Sequence, residues 1–262
     1  MNTFNHRSSL LKSKVTSKQL TLGSWVTIPH QSIIEILSSA GFEWLVLDLE
    51  HSAIDFQKTQ EMMGHIQGQG MQGLVRVSSN DPVVIKRSMD IGADGVIIPM
   101  VLNQDEAKKA VDAVRYPPLG SRGVGLSRAQ HYGTGFLSYN EWVNNQSVVI
   151  VQIEHIDAVN NLEPILEVDG VDGIIVGPYD LSASLGKPGK FDDAEIIDAL
   201  KRIEEVSSRY NKSLGYHVIN PSHHDVMSKV NQEYNFIAFS LDFFFLGDKV
   251  RGEMHNLRQK LK

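Results

Sequence analysis

Three titratable side chains directly follow an apolar run near the start of the chain. The run Trp44-Leu45-Val46-Leu47 leads into "DLEH", which supplies Asp48, Glu50 and His51. An imidazole with an ordinary pKa near ~6.5 can move a proton at neutral pH when a carboxylate fixes its tautomer. A structural histidine held by a local hydrogen bond would fit the same motif, so the motif alone leaves both interpretations open.

A cation lies inside a second apolar run, "GLVRVSS", at Arg76. A guanidinium in a buried strand is costly unless it meets an anion. That anion can be Glu50 or a bound substrate, and the residues do not decide between the two.

Two more carboxylates follow later apolar runs and suggest a metal site. Glu154 follows "VVIVQI", which also carries Gln152, and Asp180 follows the next run in "GPYDLS". Oxygen donors without a histidine or cysteine pair at zinc spacing are typical ligands of Mg²⁺ or Mn²⁺. Two capping or ion-paired carboxylates would look the same, and Asp180 in particular could cap the segment "LSASLG".

Apolar runs of strand length alternate with segments of helical period along the chain, and Gly, Pro, Asn or Asp mark the junctions. The predicted strands are residues 22–28, 44–49, 73–77, 95–101, 148–153, 173–176, 214–218 and 236–241. Strand–helix alternation with strands that are apolar throughout predicts a parallel sheet of the α/β class, and eight such units predict a (β/α)8 TIM barrel. A doubly wound open sheet is the alternative, disfavoured because no G-x-G-x-x-G follows the first run.

In such a barrel the carboxyl ends of all strands form one rim, where barrel enzymes place their active sites. We therefore expect the polar groups that end the apolar runs to converge there. His51 is the only histidine that we expect a strand to deliver to this rim. The longest predicted loop, residues 116–142, is rich in glycine and polar residues, and loops of this length in compact domains are often functional.

Length and charge distribution suggest one domain with a short extension. We expect residues 21–262 of the 262-residue chain to form a single barrel domain. Residues 1–20 carry Arg7, Lys12, Lys14 and Lys18 without one acid, which we interpret as a solvated basic extension.

The composition disfavours several classes of partner. The net charge is −6 with both signs mixed along the chain, so the basic stripe that nucleic acid requires is missing. No apolar stretch approaches the roughly 18 residues of a membrane span. The chain has no cysteine, which excludes disulfides and thiolate metal ligands and fits a cytoplasmic location.

Several separated motifs, in the same order, resemble the HpcH/HpaI family of class II, metal-dependent pyruvate aldolases. They are "LVLDLEHSAID", "VRVSSNDPVVIKRSMDIGADGVIIPMV", "RYPPLGSRGVG", "VQIEHIDAVNNL" and "VDGIIVGPYDLSASLG". The resemblance runs from about Leu22 to the C-terminus. It implies retro-aldol cleavage of a 4-hydroxy-2-oxo acid to pyruvate and an aldehyde, by homo-oligomers, commonly hexamers, whose last helix is swapped between subunits. The apolar segment "LDFFFLGDKV" would then have a partner.

The resemblance also implies roles for individual side chains. The divalent metal, Mg²⁺ or Mn²⁺ with Co²⁺ as an option, falls on Glu154 and Asp180. The implied catalytic residues are His51, its partner Asp90, the enolate-stabilising Arg76, and Asp48 near the aldehyde. The positions implied for substrate binding are Gln152 beside the metal and pyruvate, the backbone around Gly177, Pro178 and Leu181 for the carboxylate, and Trp25 on the aldehyde side.

Two other functions stay open at this point. One is a related carbon–carbon lyase that uses the same enolate chemistry on an acyl-CoA ester, and the other is a non-catalytic barrel that binds a keto acid. Intact residue types at the implied catalytic positions argue against the second. The region from Ser127 to Tyr139 matches no substrate subgroup, so the aldehyde and the physiological direction of the reaction are not predicted.

Overall fold

The computed structural model describes residues 10–262, and a closed barrel of eight parallel strands forms its centre. The strands are β1 (Thr21–Val26), β2 (Trp44–Asp48), β3 (Gln72–Arg76), β4 (Gly95–Ile98), β5 (Val148–Ile153), β6 (Gly173–Val176), β7 (Ser213–Val218) and β8 (Phe236–Leu241). They pair in chain order, and β8 closes the barrel against β1, with Thr21 opposite Phe236. The predicted (β/α)8 TIM barrel is confirmed.

Helices connect the strands on the outside of the barrel. They are α1 (Leu10–Thr16), α2 (Gln31–Ser39), α3 (Phe56–Gly68), α4 (Pro82–Asp90), α5 (Gln104–Val114), α6 (Phe136–Asn145), α7 (Ile156–Asn160), α8 (Leu162–Glu167), α9 (Pro178–Ser184), α10 (Ala194–Tyr210), α11 (His223–Asn231) and α12 (Asp242–Lys260). Polar side chains begin several of them, because an N-cap oxygen accepts a hydrogen bond from a backbone N–H that the first turn leaves unpaired. Asp55 accepts in this way from the N–H of Lys58, Asp81 from Val83 and Val84, and Asn103 from Glu106.

Aromatic rings fill the middle of the barrel. The Trp44 indole stacks on the Phe236 ring with centroids 4.2 Å apart and an angle of 3° between the planes. Room for this stack comes from Gly23 on β1, where a Cβ atom would overlap the Trp44 ring. Smaller apolar side chains such as Val46 and Leu74 complete a buried layer, so the barrel is packed through and its polar chemistry is confined to the ends.

Helix α1 corrects the prediction of a solvated basic extension. Leu11 and Val15, four residues apart on one helical face, are buried in the same cluster as the barrel interior. Lys12 donates to the backbone oxygen of Ser147 at 3.2 Å and pairs with Asp172. The interpretation is therefore wrong from Leu10 onward, because two apolar side chains outweigh the charge pattern. Arg7 lies outside the described residues, and the division of the chain into an extension and one domain stays a prediction.

The long predicted loop is partly helical. It contains a 3₁₀ helix at Arg128–Gly133 and the beginning of α6, where Tyr139 and Trp142 are buried. The prediction failed there because the apolar side chains of this segment are spaced by glycine and polar residues that hide the helical period. Among residues 10–262, no helix combines the length and apolar character needed to cross a membrane.

The packing of α1 can be tested with two neighbouring leucines. Leu11 is 2% exposed and Leu10 is 72% exposed. We expect Leu11→Ala to lower the free energy of unfolding by roughly 2 to 5 kcal/mol, because it leaves a cavity in the barrel floor, and Leu10→Ala to change it by less than about 0.5 kcal/mol. Urea denaturation followed by circular dichroism measures both, and equal effects would show that α1 does not pack as described.

Candidate active site

An ion pair between neighbouring strands lies at the carboxyl-terminal rim of the barrel. Asp48 ends β2 and Arg76 ends β3, and the strand register places the two residues opposite each other. Arg76 Nε donates to Asp48 Oδ1 at 2.9 Å and Nη2 donates to Oδ2 at 2.6 Å, a bidentate arrangement. Burial alone would raise the pKa of Asp48, but the hydrogen bonds and charge of Arg76 outweigh it and lower the pKa.

Asp48 also organises the chain that follows β2. Its Oδ1 accepts from the backbone N–H of Glu50 at 3.0 Å and of His51 at 3.2 Å. The same carboxylate thus fixes both the guanidinium and the turn that carries two further titratable groups. Of the two anions considered for Arg76, Glu50 does lie close, with its Oε2 3.4 Å from Nη1, but the principal partner within the chain is Asp48.

Arg76 also lies over the ring of Trp25, with the guanidinium carbon 4.3 Å from the ring centroid. Trp25 is the inward-facing residue near the end of β1 and is buried. A guanidinium held between a carboxylate and an aromatic face cannot reorient freely, so its remaining donor edge points in one direction.

Glu50 is an unexpected member of this rim. Burial raises the pKa of Glu50 to about 7, the charge of Arg76 opposes this, and the charges of Glu154, Asp48 and Asp180 raise the pKa further. Its Oε2 is shielded from solvent and accepts no hydrogen bond within residues 10–262. From the sequence, Glu50 was predicted only as a neighbour of His51 or a partner of Arg76, although a carboxylate two residues past the end of a strand indicates a position at the rim.

Glu154 follows β5 and is buried. Its Oε1 accepts from the backbone N–H of Met100 at 2.8 Å, and its Oε2 accepts from the side-chain amide of Gln152. Met100 offers this N–H from a left-handed backbone with φ 51°, a conformation uncommon outside glycine and found at functional sites. Burial raises the pKa of Glu154, although these hydrogen bonds lower it, and nearby Asp180 adds to the rise.

The loop after β6 brings Asp180 to the same region. Gly177 fits closely, since a Cβ atom there would lie 2.9 Å from Glu154 Oε2. Pro178 and Leu181 are buried, whereas Asp180 is exposed in the first turn of α9. Asp180 lies close enough to Glu154 for its charge to raise the pKa of that carboxylate, and the sharing of one metal by the two stays a prediction.

Few backbone N–H groups around Gly177 are free to bind a ligand, although the segment contains a glycine and begins a helix. The N–H of Gly177 donates to Ile153 and that of Leu181 donates to Gly177, while Pro178 has no N–H. Within the segment 177–181, the amides of Tyr179 and Asp180 donate to no acceptor among residues 10–262. A carboxylate bound here would meet those two.

His51 reaches the rim, but the predicted pairing with Asp90 within one chain is wrong. The His51 side chain is 63% exposed, and its Nε2 lies 3.7 Å from Glu50 Oε2. Asp90 ends α4 at the opposite end of the barrel, because Asp94 just after it donates to Gly73 near the beginning of β3.

Asp90 has other partners at that end. Its Oδ1 accepts from Arg122 Nη2 at 2.6 Å, and its backbone oxygen accepts from Ser127 Oγ. The sequence carried a signal for this, since the end of a helix that precedes a strand lies at the amino ends of the strands in a (β/α)8 barrel.

A second histidine also reaches the rim, so the expectation that only His51 does so is wrong. His217 lies near the end of β7 and faces inward, with its ring centroid 5.3 Å from that of Trp25. The signal was available in the sequence. Side chains point alternately to the two faces of a strand. In the predicted strand 214–218, residue 217 therefore points toward the barrel axis when its neighbour packs against the helices.

The arrangement suits a cation and a negatively charged reaction centre. It combines one fixed guanidinium with two carboxylates, Glu50 and Glu154, whose pKa values are raised mainly by burial and further by the charges of neighbouring carboxylates. Within residues 10–262, no group of three or more histidine, aspartate and glutamate side chains is gathered closely enough to hold a metal by itself. A divalent ion here would need oxygen atoms of a substrate or water beside the two carboxylates.

Comparison with known proteins places the chain in a family. The sequence model described as HpcH/HpaI aldolase/citrate lyase matches residues 21–245. The chain is 37% identical over 233 residues to the 2-dehydro-3,6-dideoxy-6-sulfogluconate aldolase of Pseudomonas putida, covering 87% of this chain and 89% of that protein. It is 36% identical over 232 residues to the 5-keto-4-deoxy-D-glucarate aldolase of Escherichia coli O139:H28 (strain E24377A / ETEC), covering 88% and 90%.

The fold comparison agrees. A crystal structure of an HpcH/HpaI aldolase/citrate lyase family protein from Burkholderia cenocepacia J2315 superposes with a TM-score of 0.88 at 29% identity, covering 95% of this chain and 98% of that one. The predicted family and the predicted class of carbon–carbon lyase are confirmed. The chain belongs to the HpcH/HpaI aldolase/citrate lyase family.

Proposed function

We propose that the protein is a class II pyruvate aldolase, which reversibly cleaves a 4-hydroxy-2-oxo acid into pyruvate and an aldehyde with the help of a divalent metal. One observation carries the proposal. A fixed guanidinium, Arg76, lies 3.4 Å from Glu50 and within reach of the charge of Glu154 at the end of β5. Retro-aldol cleavage builds negative charge on the former keto oxygen, and a cationic site opposite that oxygen lowers the barrier.

The residues fit a divalent metal on Glu154 and Asp180. Both are hard oxygen donors, which favours Mg²⁺ or Mn²⁺ and is compatible with Co²⁺. Glu154 is a buried carboxylate that forms no ion pair of its own among residues 10–262, and Gly177 keeps the space beside its Oε2 free of a side chain. A bound divalent ion would act as a Lewis acid toward the keto acid and offset the charge that develops on its oxygen.

Arg76 stabilises the same developing charge from the protein side. Asp48 and the Trp25 ring fix the guanidinium before the reaction, so little reorganisation is needed as charge appears. The role predicted for Asp48 near the aldehyde is thus complemented by a positioning role toward Arg76.

His51 moves the proton at the pyruvate methyl group, directly or through a water. The carboxylate near it is Glu50, 3.7 Å from Nε2, a distance that a bridging water or a small rotation would close. A catalytic role of Asp90 would require the His51 of a second copy, because the two residues lie at opposite ends of one barrel.

The remaining predicted residues surround the pyruvate unit. Gln152 donates to Glu154 and keeps an oxygen, Oε1, that is buried and accepts no hydrogen bond within residues 10–262. The free amides at the start of α9 hold the pyruvate carboxylate. The names of the two aldolase relatives give sugar acids as their substrates. We propose that the second product here is an aldehyde of comparable polarity.

We further propose a homo-oligomer, a hexamer as in the family resemblance, in which α12 is swapped between subunits. Helix α12 leaves one row of apolar side chains exposed by 43 to 57%, namely Phe243, Leu246, Val250, Met254 and Leu257. Their spacing places them on one face of the helix, and a contiguous exposed apolar face of this kind marks an interface.

The absence of cysteine supports a cytoplasmic location.

The metal and its ligand can be tested together. We expect purified protein treated with EDTA to release no pyruvate from 4-hydroxy-2-oxo acids, and Mn²⁺ or Mg²⁺ to restore the activity. We expect Glu154→Gln to lower kcat/KM by at least about 100-fold because it removes a charged ligand. Glu141→Gln, at an exposed carboxylate of α6, is the matched control. Activity that is indifferent to chelation would contradict the proposal.

The raised pKa of Glu50 predicts how stability depends on pH. Because the folded protein holds this proton up to about pH 7 and the unfolded chain releases it near 4.5, stability should fall as pH rises through this window. The loss is about 3 kcal/mol at most in EDTA-treated protein. Urea denaturation between pH ~5 and pH ~7.5 should show a flatter profile for Glu50→Gln and no change for the exposed Glu205→Gln. A wild-type profile that rises through this window would refute the assignment.

The α12 face predicts the assembly state. We expect wild-type protein to elute as an oligomer in size-exclusion chromatography with light scattering, and Leu246→Glu combined with Val250→Glu to shift it toward monomers, because two buried charges cannot be solvated at an apolar interface. Lys249→Glu, on the polar side of the same helix, is the control. A monomeric wild type, or a double variant that assembles normally, would count against the interface.

A further inference from the structure

A cleft of about 610 Å³ lies between α10 and α11. Its walls come from these two helices, from the end of β7 and from the loop that follows β6. None of the four charged residues of the candidate site, Asp48, Arg76, Glu154 and Asp180, lines it. The proposed function gives no role to this space, which is large enough for a small organic molecule.

One cation in the cleft, Lys229 of α11, lies on an aromatic surface. Its Nζ is 4.3 Å from the centroid of the Tyr216 ring and 5.1 Å from that of Tyr234. The half-buried Lys229 forms no ion pair with a carboxylate among residues 10–262. Its hydrogen-bond acceptor within those residues is Gln232 Oε1, at 2.8 Å. Because an ammonium group has three donors, Lys229 can also donate to a ligand in the cleft.

Neighbouring carboxylates restrict the charge of such a ligand. Glu204 lines the cleft, where its Oε1 accepts from the Tyr234 hydroxyl at 3.0 Å, and Asp225 in the first turn of α11 lines it too. Two negative charges repel an anion that carries several charges, whereas a single carboxylate can still pair with Lys229. Burial lowers the pKa of Lys229 and the charge of Glu204 opposes this, so a bound carboxylate would favour the ammonium form further.

Aromatic and aliphatic side chains form the rest of the lining. The Tyr179 and Phe191 rings meet edge to face, with centroids 5.0 Å apart and an angle of 82° between the planes. Tyr179 is 51% exposed, and Ile197 and Leu200 of α10 continue the apolar surface. Since aromatic rings pack favourably in offset-stacked or edge-to-face pairs, this surface suits a ligand that carries a ring.

We propose that the cleft binds an aromatic monocarboxylate, with its carboxylate on Lys229 and its ring against Tyr179 and Phe191. The ligand combines one negative charge with a flat apolar body, which are the two features that the lining complements. The site is separate from the position proposed for pyruvate, and the proposal does not depend on the reaction.

Titration with 3-phenylpropionate, followed by ligand-observed NMR, tests the site. We expect saturable binding to wild-type protein, and at least about 10-fold weaker binding of 3-phenylpropionamide, which lacks the charge, and of propionate, which lacks the ring. Lys229→Met should weaken the binding of 3-phenylpropionate by about 10- to 100-fold, because it removes a charge-assisted hydrogen bond, and Lys229→Arg should retain most of it. Lys190→Met, at an exposed lysine outside the cleft, is the matched control and should bind as the wild type does.

A second variant separates the cleft from the catalytic rim. We expect Arg76→Met to bind 3-phenylpropionate as the wild type does, because Arg76 does not line the cleft. Loss of binding in Arg76→Met together with retention in Lys229→Met would place the carboxylate at the rim and overturn the proposal. So would the absence of saturable binding to the wild type, equal binding of the amide, or tighter binding of 3-phenylpropylamine. Circular dichroism checks that each variant is folded, and Lys229→Gln replaces Lys229→Met if the latter does not fold.

Discussion

The ion pair between Asp48 and Arg76 holds the site together. A guanidinium at the end of a buried strand would be prohibitively costly alone, and a bidentate carboxylate on the adjacent strand offsets that cost with good geometry. The register of β2 with β3 places the two residues opposite each other, so the ion pair can form as soon as these strands pair. The same carboxylate accepts from the amides that follow it, so one interaction fixes the guanidinium, the direction of the chain and the approach of His51.

Around this pair the charges do not balance. Arg76 pairs with Asp48 and lies 3.4 Å from Glu50, whereas Glu154 and Asp180 form no ion pair with a cation among residues 10–262. Burial raises the pKa values of Glu50 and Glu154, and the charges of their neighbours add to the rise. In the proposed function, a divalent ion would supply positive charge to this group of carboxylates.

Much of this architecture could be predicted from the sequence. Continuous apolar runs located all eight strands to within a few residues, because strands buried on both faces form apolar runs whose short length and flanking turn residues distinguish them from helices. Strand ends then located Asp48, Arg76, Glu154 and Asp180 at one rim. The predictions that failed concern the end of the barrel at which a residue lies or the side to which its side chain points. Asp90 follows a helix that returns to the far end, and His217 faces inward only because of the register of β7. The short helix α1 was not predicted, because the basic residues of this segment suggested a solvated extension.

The stack of Trp44 on Phe236 above Gly23 has an evolutionary consequence. These three positions come from neighbouring strands, and each is acceptable only because of the other two: a larger residue at 23 collides with the indole, and a smaller ring at 44 or 236 opens a hole in the centre of the barrel. Substitutions at any one of them should therefore be rare by themselves. Descendants of this chain would inherit the trio unchanged or replace all its members in concert.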